Sequence, residues 1–332
     1  MVNIDIKNVE TKTGYCFMGP IINAAIYYKR DYQLNFAGCL FFGFEPFNEE
    51  EGKSFYERMS WDFSSDLFPE ELIKYHGLDV IIDKRPEFLD FKSIVDSELA
   101  LGNPIVLTFD GYNAHWTYYY LKHKVMHFCL IVGVDEESES FLVIDPYFSV
   151  EIKKLPFNEV EQSYNWHYTI RLVEPTVNIA SVWEDILKKG ISGNYENKYN
   201  KSSYQMMREF AKEILQSNDI IEEMKIQDSA GSYQILEKMK YITFSRLNFS
   251  WFLEYIIKEF SVKELEPMVK VMVQLSDKWN LVFGQLTKLG YLKQEDAINR
   301  LKKKIYDQIV ENSEIEEDAT KKMMKILQDK RR

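Results

Sequence analysis

The stretch that decides the fold is Val125–Tyr147, VMHFCLIVGVDEESESFLVIDPY. Two apolar runs rich in β-branched residues flank a polar turn, which is the pattern of a β-hairpin in a protein core. His127 opens the first run and Asp145 closes the second. The spacing predicts that these two residues pair directly, with residues 134–138 as the loop. In that register their Cβ atoms lie about 5 Å apart, close enough for Asp145 to hold the imidazole of His127.

A nucleophile for this pair lies near the N-terminus, in GYCFMGPIINAAIYYK (residues 14–29). Pro20 is tolerated only in the first turn of a helix because it has no backbone N–H, so the helix must begin within a few residues of Cys16. The unpaired N–H groups and the positive end of the helix dipole then favour a thiolate and can bind an oxyanion. Cys16, His127 and Asp145 are therefore the predicted catalytic residues. A structural role stays open for Cys16 and His127, since free cysteine usually packs as a small apolar residue.

The other candidate residues carry weaker signals. Cys39 and Cys129 lie in apolar runs, where a thiol is inert. Cys129 shares strand parity with His127, so it is expected to line the site without reacting. His115, in GYNAHWTYYY, is expected either to pack among aromatic rings or to contact substrate. Tyr147, next to Asp145, is a further substrate-binding candidate.

No cofactor or metal site is predicted. The sequence has neither a P-loop motif nor a dinucleotide-binding G-x-G-x-x-G between a strand and a helix. His123 and His127 have the spacing of a zinc pair on a helix, but His127 begins a predicted strand, where residues four apart lie about 13 Å from each other.

The chain of 332 residues is long enough for two domains, and its hydrophobic content of 45% is that of a globular protein. No apolar run reaches the length of a membrane span, and the N-terminal residues lack the pattern of an export signal. The three cysteines are widely spaced and do not suggest disulfides. We therefore expect the protein in a reducing cytoplasm.

The charge is unevenly distributed along the chain. Residues 1–175 hold 15 basic and 28 acidic residues, a balance of −13, whereas residues 176–332 have a balance of +2. Such an acidic first half argues against nucleic-acid binding, which depends on phosphate contacts. It favours attraction of a cationic small molecule, although acidic residues also simply keep a protein soluble.

The pattern of apolar residues also divides the chain near Pro175. Residues 1–175 mix helical and strand patterns, whereas residues 176–332 follow a helical period of about 3.6 almost throughout. The predicted fold class is α+β. A catalytic domain over 1–175 would precede an all-α bundle or cap over 176–332.

Three blocks together resemble a known family: GYCFMGPIINAAIYYK, LALGNPIVLTFDGYN (99–113) and HFCLIVGVDEESESFLVIDPYF (127–148). They are similar to the N-terminal domain family of butirosin biosynthesis protein H, which resembles the C39-type, papain-like cysteine peptidases. The resemblance covers about residues 10–175. It implies a papain-like fold with Cys16, His127 and Asp145 in the triad positions, followed by a helical domain.

Two features depart from that pattern. FFGFEPF (41–47) stands where relatives tend to have a more glycine-rich segment, so substrate contacts there are not carried over. No counterpart of the papain oxyanion glutamine is identified either. The backbone N–H of Cys16 takes that role in the prediction.

The resemblance implies acyl transfer in antibiotic biosynthesis. An acyl chain delivered on the phosphopantetheine of an acyl carrier protein would pass through Cys16 to an amine, giving an amide. A related papain-like enzyme forms the amide bonds of closthioamide with a short diamine as acceptor. Two alternatives remain: a cysteine peptidase or amidase that uses water as acceptor, and a non-catalytic binding protein on the same fold.

Overall fold

The computed structural model describes residues 2–11, 13–48, 52–60, 68–84, 87–195, 199–226 and 234–330. Its strands are β1 (Val2–Asn3), β2 (Gly43–Phe44), β3 (Met59–Ser60), β4 (Leu78–Lys84), β5 (Ile105–Asp110), β6 (Met126–Asp135), β7 (Ser140–Ile144), β8 (Lys153–Pro156) and β9 (Trp166–Leu172). Its helices are α1 (Met18–Tyr27), α2 (Phe55–Arg58), α3 (Phe68–Glu71), α4 (Phe88–Ala100), α5 (Phe157–Ser163), α6 (Trp183–Ser192), α7 (Ser203–Gln216), α8 (Asp219–Glu223), α9 (Gln234–Phe260), α10 (Glu266–Leu289) and α11 (Glu295–Lys330).

These elements form two compact units. The first consists mainly of Met1–Tyr32 and Ser65–Asn178, and the second of Gln33–Ser64, Ile179–Asp228 and Ser232–Arg332. A mixed sheet-and-helix region followed by a helical region confirms the predicted fold class, an α+β, papain-like domain and then an all-α domain. The division of the chain into domains at residues 175 and 176 stays a prediction.

The sheet of the first unit is antiparallel, with the strand order β4-β9-β5-β6-β7-β8. Strand β6 is central, because β5 pairs with one edge and β7 with the other. Strand β1 also pairs with β6, through Val2 opposite Val134. The hairpin predicted from the sequence is therefore β6 and β7, at the middle of the sheet.

The predicted register of this hairpin is wrong. Its ladder begins with Asp135 opposite Ser140, so the turn is residues 136–139 and starts two residues later than predicted. A β-bulge between Ile131 and Gly133 then shifts the pairing by one residue, and the last pair is Leu130 with Ile144. The first strand of the hairpin continues as far as the turn, and it includes two residues that the sequence pattern assigned to the loop.

The bulge determines which side chains share a face. Without it, the register of the turn would put Asp145 on the face opposite His127, because successive strand residues point to opposite sides. With it, Asp145 falls two residues from direct pairing with His127 and on the same face. Core packing agrees, since the buried cluster includes Cys129, Ile131 and then Val134. A diagonal pair of this kind is still within reach of long side chains.

The core of the first unit lies between α4 and one face of the sheet. Its buried members are Phe91, Val95, Leu99, Ile105, Leu107, Phe109, Ala114, Cys129, Ile131, Val134, Phe141, Val143, Leu155 and Val160. Burying a side chain of this size stabilises the folded chain by roughly 1.5–3 kcal/mol. The sheet that carries His127 is therefore firmly supported from this side.

Helix α1 is buried from Met18 to Ala25, so it is an interior helix rather than a half-exposed one. Close packing at Gly19 joins it to the end of the hairpin. A Cβ at Gly19 would lie 2.6 Å from Cγ of Pro146 and 2.8 Å from Oγ1 of Thr11. Only glycine lets the helix approach this closely, and this contact brings the start of α1 against the residue that follows Asp145.

The second unit is a helical bundle in which α9 packs on α10 and α7 packs on α11. The aromatic segment at 41–47 belongs to this unit: Phe42 packs against Phe210 and Trp279, and Phe44 packs against Phe210. Its departure from the glycine-rich pattern is thus a core requirement of the bundle. Within the described residues, no helix combines the length and apolarity needed to cross a bilayer.

We predict that Gly19→Ala lowers the free energy of unfolding by about 1–3 kcal/mol, because the added methyl overpacks against Pro146. Urea denaturation measures the change. Gly284→Ala is the matched control, since a Cβ at this helical glycine meets nothing within 4 Å. It should stabilise the protein by up to about 1 kcal/mol through helix propensity. Equal stability of the Gly19→Ala variant and the unmodified protein would contradict the close packing described here.

Candidate active site

His127 and Asp145 form a buried hydrogen-bonded pair at the open end of the hairpin. Nε2 of His127 lies 2.8 Å from Oδ2 of Asp145. Both side chains are shielded, with exposed fractions of 1% and 0%. The two-residue error in register therefore does not separate them, because the imidazole spans the diagonal between the strands.

The Asp145 carboxylate also binds two N–H groups besides the imidazole. Nε1 of Trp116 donates to Oδ2 at 2.7 Å, and the backbone N–H of Tyr147 donates to Oδ1 at 3.2 Å. A carboxylate with no solvent needs such partners, since an unpaired buried charge is costly. Trp116 thus fixes the carboxylate that in turn orients His127.

Cys16 lies two residues ahead of α1, as Pro20 indicated, and Gly14 precedes it with φ 81°. That left-handed conformation favours glycine and turns the chain into the helix. The Cys16 side chain is a partly exposed free thiol, and it lies close enough to His127 to help raise the pKa of the imidazole. The first turn of α1 has no acidic residue to offset the positive end of the helix dipole. The structure therefore brings Cys16, His127 and Asp145 together in one site.

The electrostatics of the site favour a protonated imidazole. Burial alone lowers the pKa of His127, but the charge and hydrogen bond of Asp145 and the contact with Cys16 outweigh it and raise this pKa to about 10. A positive ring beside the sulfur stabilises a negative charge on that sulfur. At neutral pH the imidazole is therefore protonated beside the sulfur.

Aromatic rings surround the imidazole. Ring centroids of Phe109, Phe148 and Tyr119 lie 5.8, 5.3 and 6.4 Å from that of His127. These rings exclude water from the imidazole, which strengthens the hydrogen bond between His127 and Asp145.

The loop between β5 and β6 supplies Tyr119 to this wall, and one side chain closes the loop. Oδ1 of Asp110 accepts hydrogen bonds from the backbone N–H groups of both Tyr112 and Val125, each at 3.0 Å. Gly111 N–H donates to the carbonyl of Val125 at 2.7 Å. The segment between these two points, residues 112–125, is the clasped loop, and it carries Trp116 and Tyr119.

The remaining predicted residues occupy different places. His115 is exposed and packs edge-on against Trp116, and its role in substrate binding stays a prediction. Cys129 is fully buried in the core, where burial and the charge of Asp145 raise the pKa of its thiol. Its expected place in the lining of the site stays a prediction. Tyr147 is half-buried next to Phe148 at the site, and its role in substrate binding stays a prediction.

Sequence reasoning missed Trp116 and Tyr119. Both stand in the aromatic run around His115, where packing was the expected role. A usable signal for Trp116 was its indole N–H, which needs an acceptor when a tryptophan packs inside a protein. No signal in the sequence singled out Tyr119 among its tyrosine neighbours.

Among the described residues, no group of three or more His, Cys, Asp or Glu side chains is arranged to hold a metal ion. The side chains of the site, a thiol, a base and an orienting carboxylate, suit nucleophilic chemistry.

Comparison with known families agrees with this geometry. Residues 72–171 match the Peptidase_C39 like family, which supports a papain-like cysteine-enzyme fold. The matched residues include His127, Asp145 and Trp116, whereas Cys16 lies before them. No curated protein showed significant sequence similarity to the chain.

We predict that the His127–Asp145 pair makes stability fall as pH rises. The folded-state pKa of His127 is raised from 6.5 to about 10, so the folded protein holds a proton that the unfolded chain releases between these values. The stabilisation is complete below pH 6.5 and is lost towards pH 10, by up to about tenfold in the unfolding equilibrium constant per pH unit. Urea denaturation between about pH 6.5 and pH 8, below the range in which Lys238 and Cys129 titrate, should show the slope, and His127→Gln should remove it. His115→Gln is the control and should keep the slope; its disappearance there would refute the assignment.

We predict that Trp116→Phe slows alkylation of Cys16 by iodoacetamide several-fold, because Asp145 loses one donor and holds His127 less firmly. Mass spectrometry of the modified protein gives the rate. Trp166→Phe is the matched control, since this indole also donates a hydrogen bond, at 3.0 Å, but to Tyr168 rather than to Asp145. Equal rates for the two variants would show that Trp116 has only a packing role.

Proposed function

We propose that this protein is a cysteine-dependent acyltransferase that moves an acyl chain from a carrier-protein thioester to an amine and so forms an amide bond. The observation that carries the proposal is the hydrogen-bonded pair of His127 and Asp145 beside Cys16, whose thiol is partly exposed just ahead of a buried helix. Such an arrangement suits covalent catalysis by sulfur.

The first step transfers the acyl chain to the enzyme. Because Nε2 of His127 is bonded to Asp145, the other ring nitrogen, Nδ1, exchanges protons with the sulfur. The Cys16 thiolate adds to the thioester carbonyl carbon, and the bond from that carbon to the carrier sulfur then breaks. The carrier thiolate takes the proton from His127 and leaves as a thiol.

The second step transfers the acyl chain to the acceptor. A neutral amine nitrogen attacks the carbonyl carbon of acyl-Cys16 while His127 accepts the amine proton. The bond from carbon to the Cys16 sulfur breaks, the amide leaves, and the thiolate–imidazolium pair is restored. The aromatic wall around His127 disfavours water as the competing acceptor.

The charge of the first half fits a cationic acceptor. A balance of −13 over residues 1–175 raises the local concentration of an amine or diamine, whose protonated form is attracted and whose neutral form reacts. In this proposal the substrate arrives on the phosphopantetheine of an acyl carrier protein, and the enzyme itself needs no cofactor. The resemblance to butirosin biosynthesis protein H and to the enzyme of closthioamide supports a role in antibiotic biosynthesis, in a reducing cytoplasm where Cys16 stays a free thiol.

The second candidate function is hydrolysis of a peptide or amide by the same residues, with water as acceptor. The match of residues 72–171 to the Peptidase_C39 like family favours it. The two functions share the acyl-Cys16 intermediate and differ only in what attacks it.

Intact-mass spectrometry with acyl-carrier thioesters tests the proposal. We predict an added acyl mass on the protein, its loss in Cys16→Ala, and its release as an amide when a diamine is supplied. Cys39→Ala is the matched control, since this buried cysteine belongs to the second unit, and it should acylate like the unmodified protein.

Three other outcomes decide between the alternatives. Peptide hydrolysis with no amide from any amine would assign the protein to the hydrolases. Acylation that survives in Cys16→Ala would remove that residue from the mechanism. No adduct and no turnover with either substrate class would leave a non-catalytic binding protein on this fold.

A further inference from the structure

The hydroxyl of Tyr119 is a hydrogen-bond donor without an acceptor among the described residues. Oη of Tyr118 donates to Oη of Tyr119 at 2.7 Å, so the Tyr119 oxygen is the acceptor in this bond. Its own hydrogen must therefore point elsewhere. Burial and the bond with Tyr118 also raise the pKa of Tyr119 above its usual range, which keeps the hydroxyl protonated.

Tyr119 lies beside the reactive groups. Its ring is 6.4 Å from that of His127, and the ring of Phe148 contacts both, at 5.6 Å from Tyr119 and 5.3 Å from His127. The hydroxyl is also close enough to Cys16 and Tyr147 for each to act on it electrostatically. The donor thus lies near the sulfur, where a substrate carbonyl must approach.

The backbone holds Tyr119 in place. Its N–H donates to Oγ1 of Thr117 at 3.2 Å, and its carbonyl accepts from the N–H groups of Lys122 and His123 at 2.9 and 3.0 Å. The clasp at Asp110 fixes the ends of the same loop. A donor fixed before the reaction is what stabilises developing charge most effectively, because no reorganisation is needed.

We propose that the hydroxyl of Tyr119 and the backbone N–H of Cys16 together form the oxyanion hole of this enzyme. This role rests on the proposed acyl transfer through Cys16. When the Cys16 sulfur adds to the carbonyl carbon, the π electron pair of the C=O bond moves to the oxygen. Tyr119 donates a hydrogen bond to that oxyanion without transferring its proton. When the carbonyl re-forms, the pair returns and the carrier thiolate is expelled.

Tyr118 strengthens this donor. A hydroxyl that accepts a hydrogen bond is polarised and donates its own hydrogen more strongly. The aromatic run at Tyr118 and Tyr119 thereby supplies the function for which no glutamine was found in the sequence. The tyrosine is a catalytic residue in this assignment because it touches the reacting oxygen.

Two reactions of Cys16 in the full-length protein separate this role from the others. Acylation by S-acyl pantetheine thioesters passes through an oxyanion, whereas alkylation by iodoacetamide needs the thiolate but forms no oxyanion at a carbonyl. Tyr119→Phe should slow acylation by about 100-fold, the scale of losing one oxyanion donor, and leave alkylation unchanged. Tyr118→Phe should slow acylation by a smaller factor.

Tyr120→Phe is the matched control. This tyrosine is on the same loop but is exposed and packs against His115, so both rates should equal those of the unmodified protein.

Acylation of Tyr119→Phe at the unmodified rate overturns the assignment and leaves the proposed function standing. A parallel loss of both rates also overturns it, since Tyr119 would then act through the thiolate. A larger loss in Tyr118→Phe than in Tyr119→Phe would assign the donor to Tyr118. Absence of acylation in the unmodified protein refutes the proposed function and this role with it.

Discussion

The buried carboxylate of Asp145 is the group on which the geometry of the site depends. Its charge is removed from water, and an unpaired charge there would cost several kcal/mol, so its three N–H donors are obligatory. Those donors come from β6, from the clasped loop and from Tyr147. Pro146, the next residue, packs against Gly19 of α1. The strand that carries His127, the loop that carries Trp116 and the helix that follows Cys16 thus meet at Asp145 and Pro146.

Sequence periodicity predicted the elements of the site better than their register. Pro20 placed the start of α1, and the two apolar runs placed the hairpin, because both depend on local backbone chemistry. The predicted pairing of the two hairpin strands was wrong, because the turn is shorter and begins later than its polar residues indicated. A single bulge at Val132 then restored the common face of His127 and Asp145. The alternation of apolar and polar residues along a strand predicts which side chains share a face of the sheet. The position of a bulge depends instead on tertiary packing.

The residues that sequence reasoning missed are those whose roles depend on side-chain direction. Nothing in the aromatic run distinguishes Trp116 or Tyr119 from neighbouring rings until the loop is folded. The segment at 41–47 departs from the glycine-rich pattern for a related reason: its Phe42 packs in the second unit, beside Trp279. That unit also holds a fully buried ion pair, in which Arg246 donates two hydrogen bonds to Glu316, of 3.0 and 2.6 Å. Aromatic and charged residues of the chain are thus buried in the core of each unit.

The clasp at Asp110 has a consequence for how such an enzyme can diversify. Because one carboxylate oxygen binds the backbone at both ends of the loop, the contact that closes the loop beside the ladder involves none of its exposed side chains. An exposed position such as Leu121 can change in size or polarity without touching Cys16 or His127. Variation at the exposed positions of the loop can thus alter the surface around the site while Trp116 keeps its hydrogen bond to Asp145.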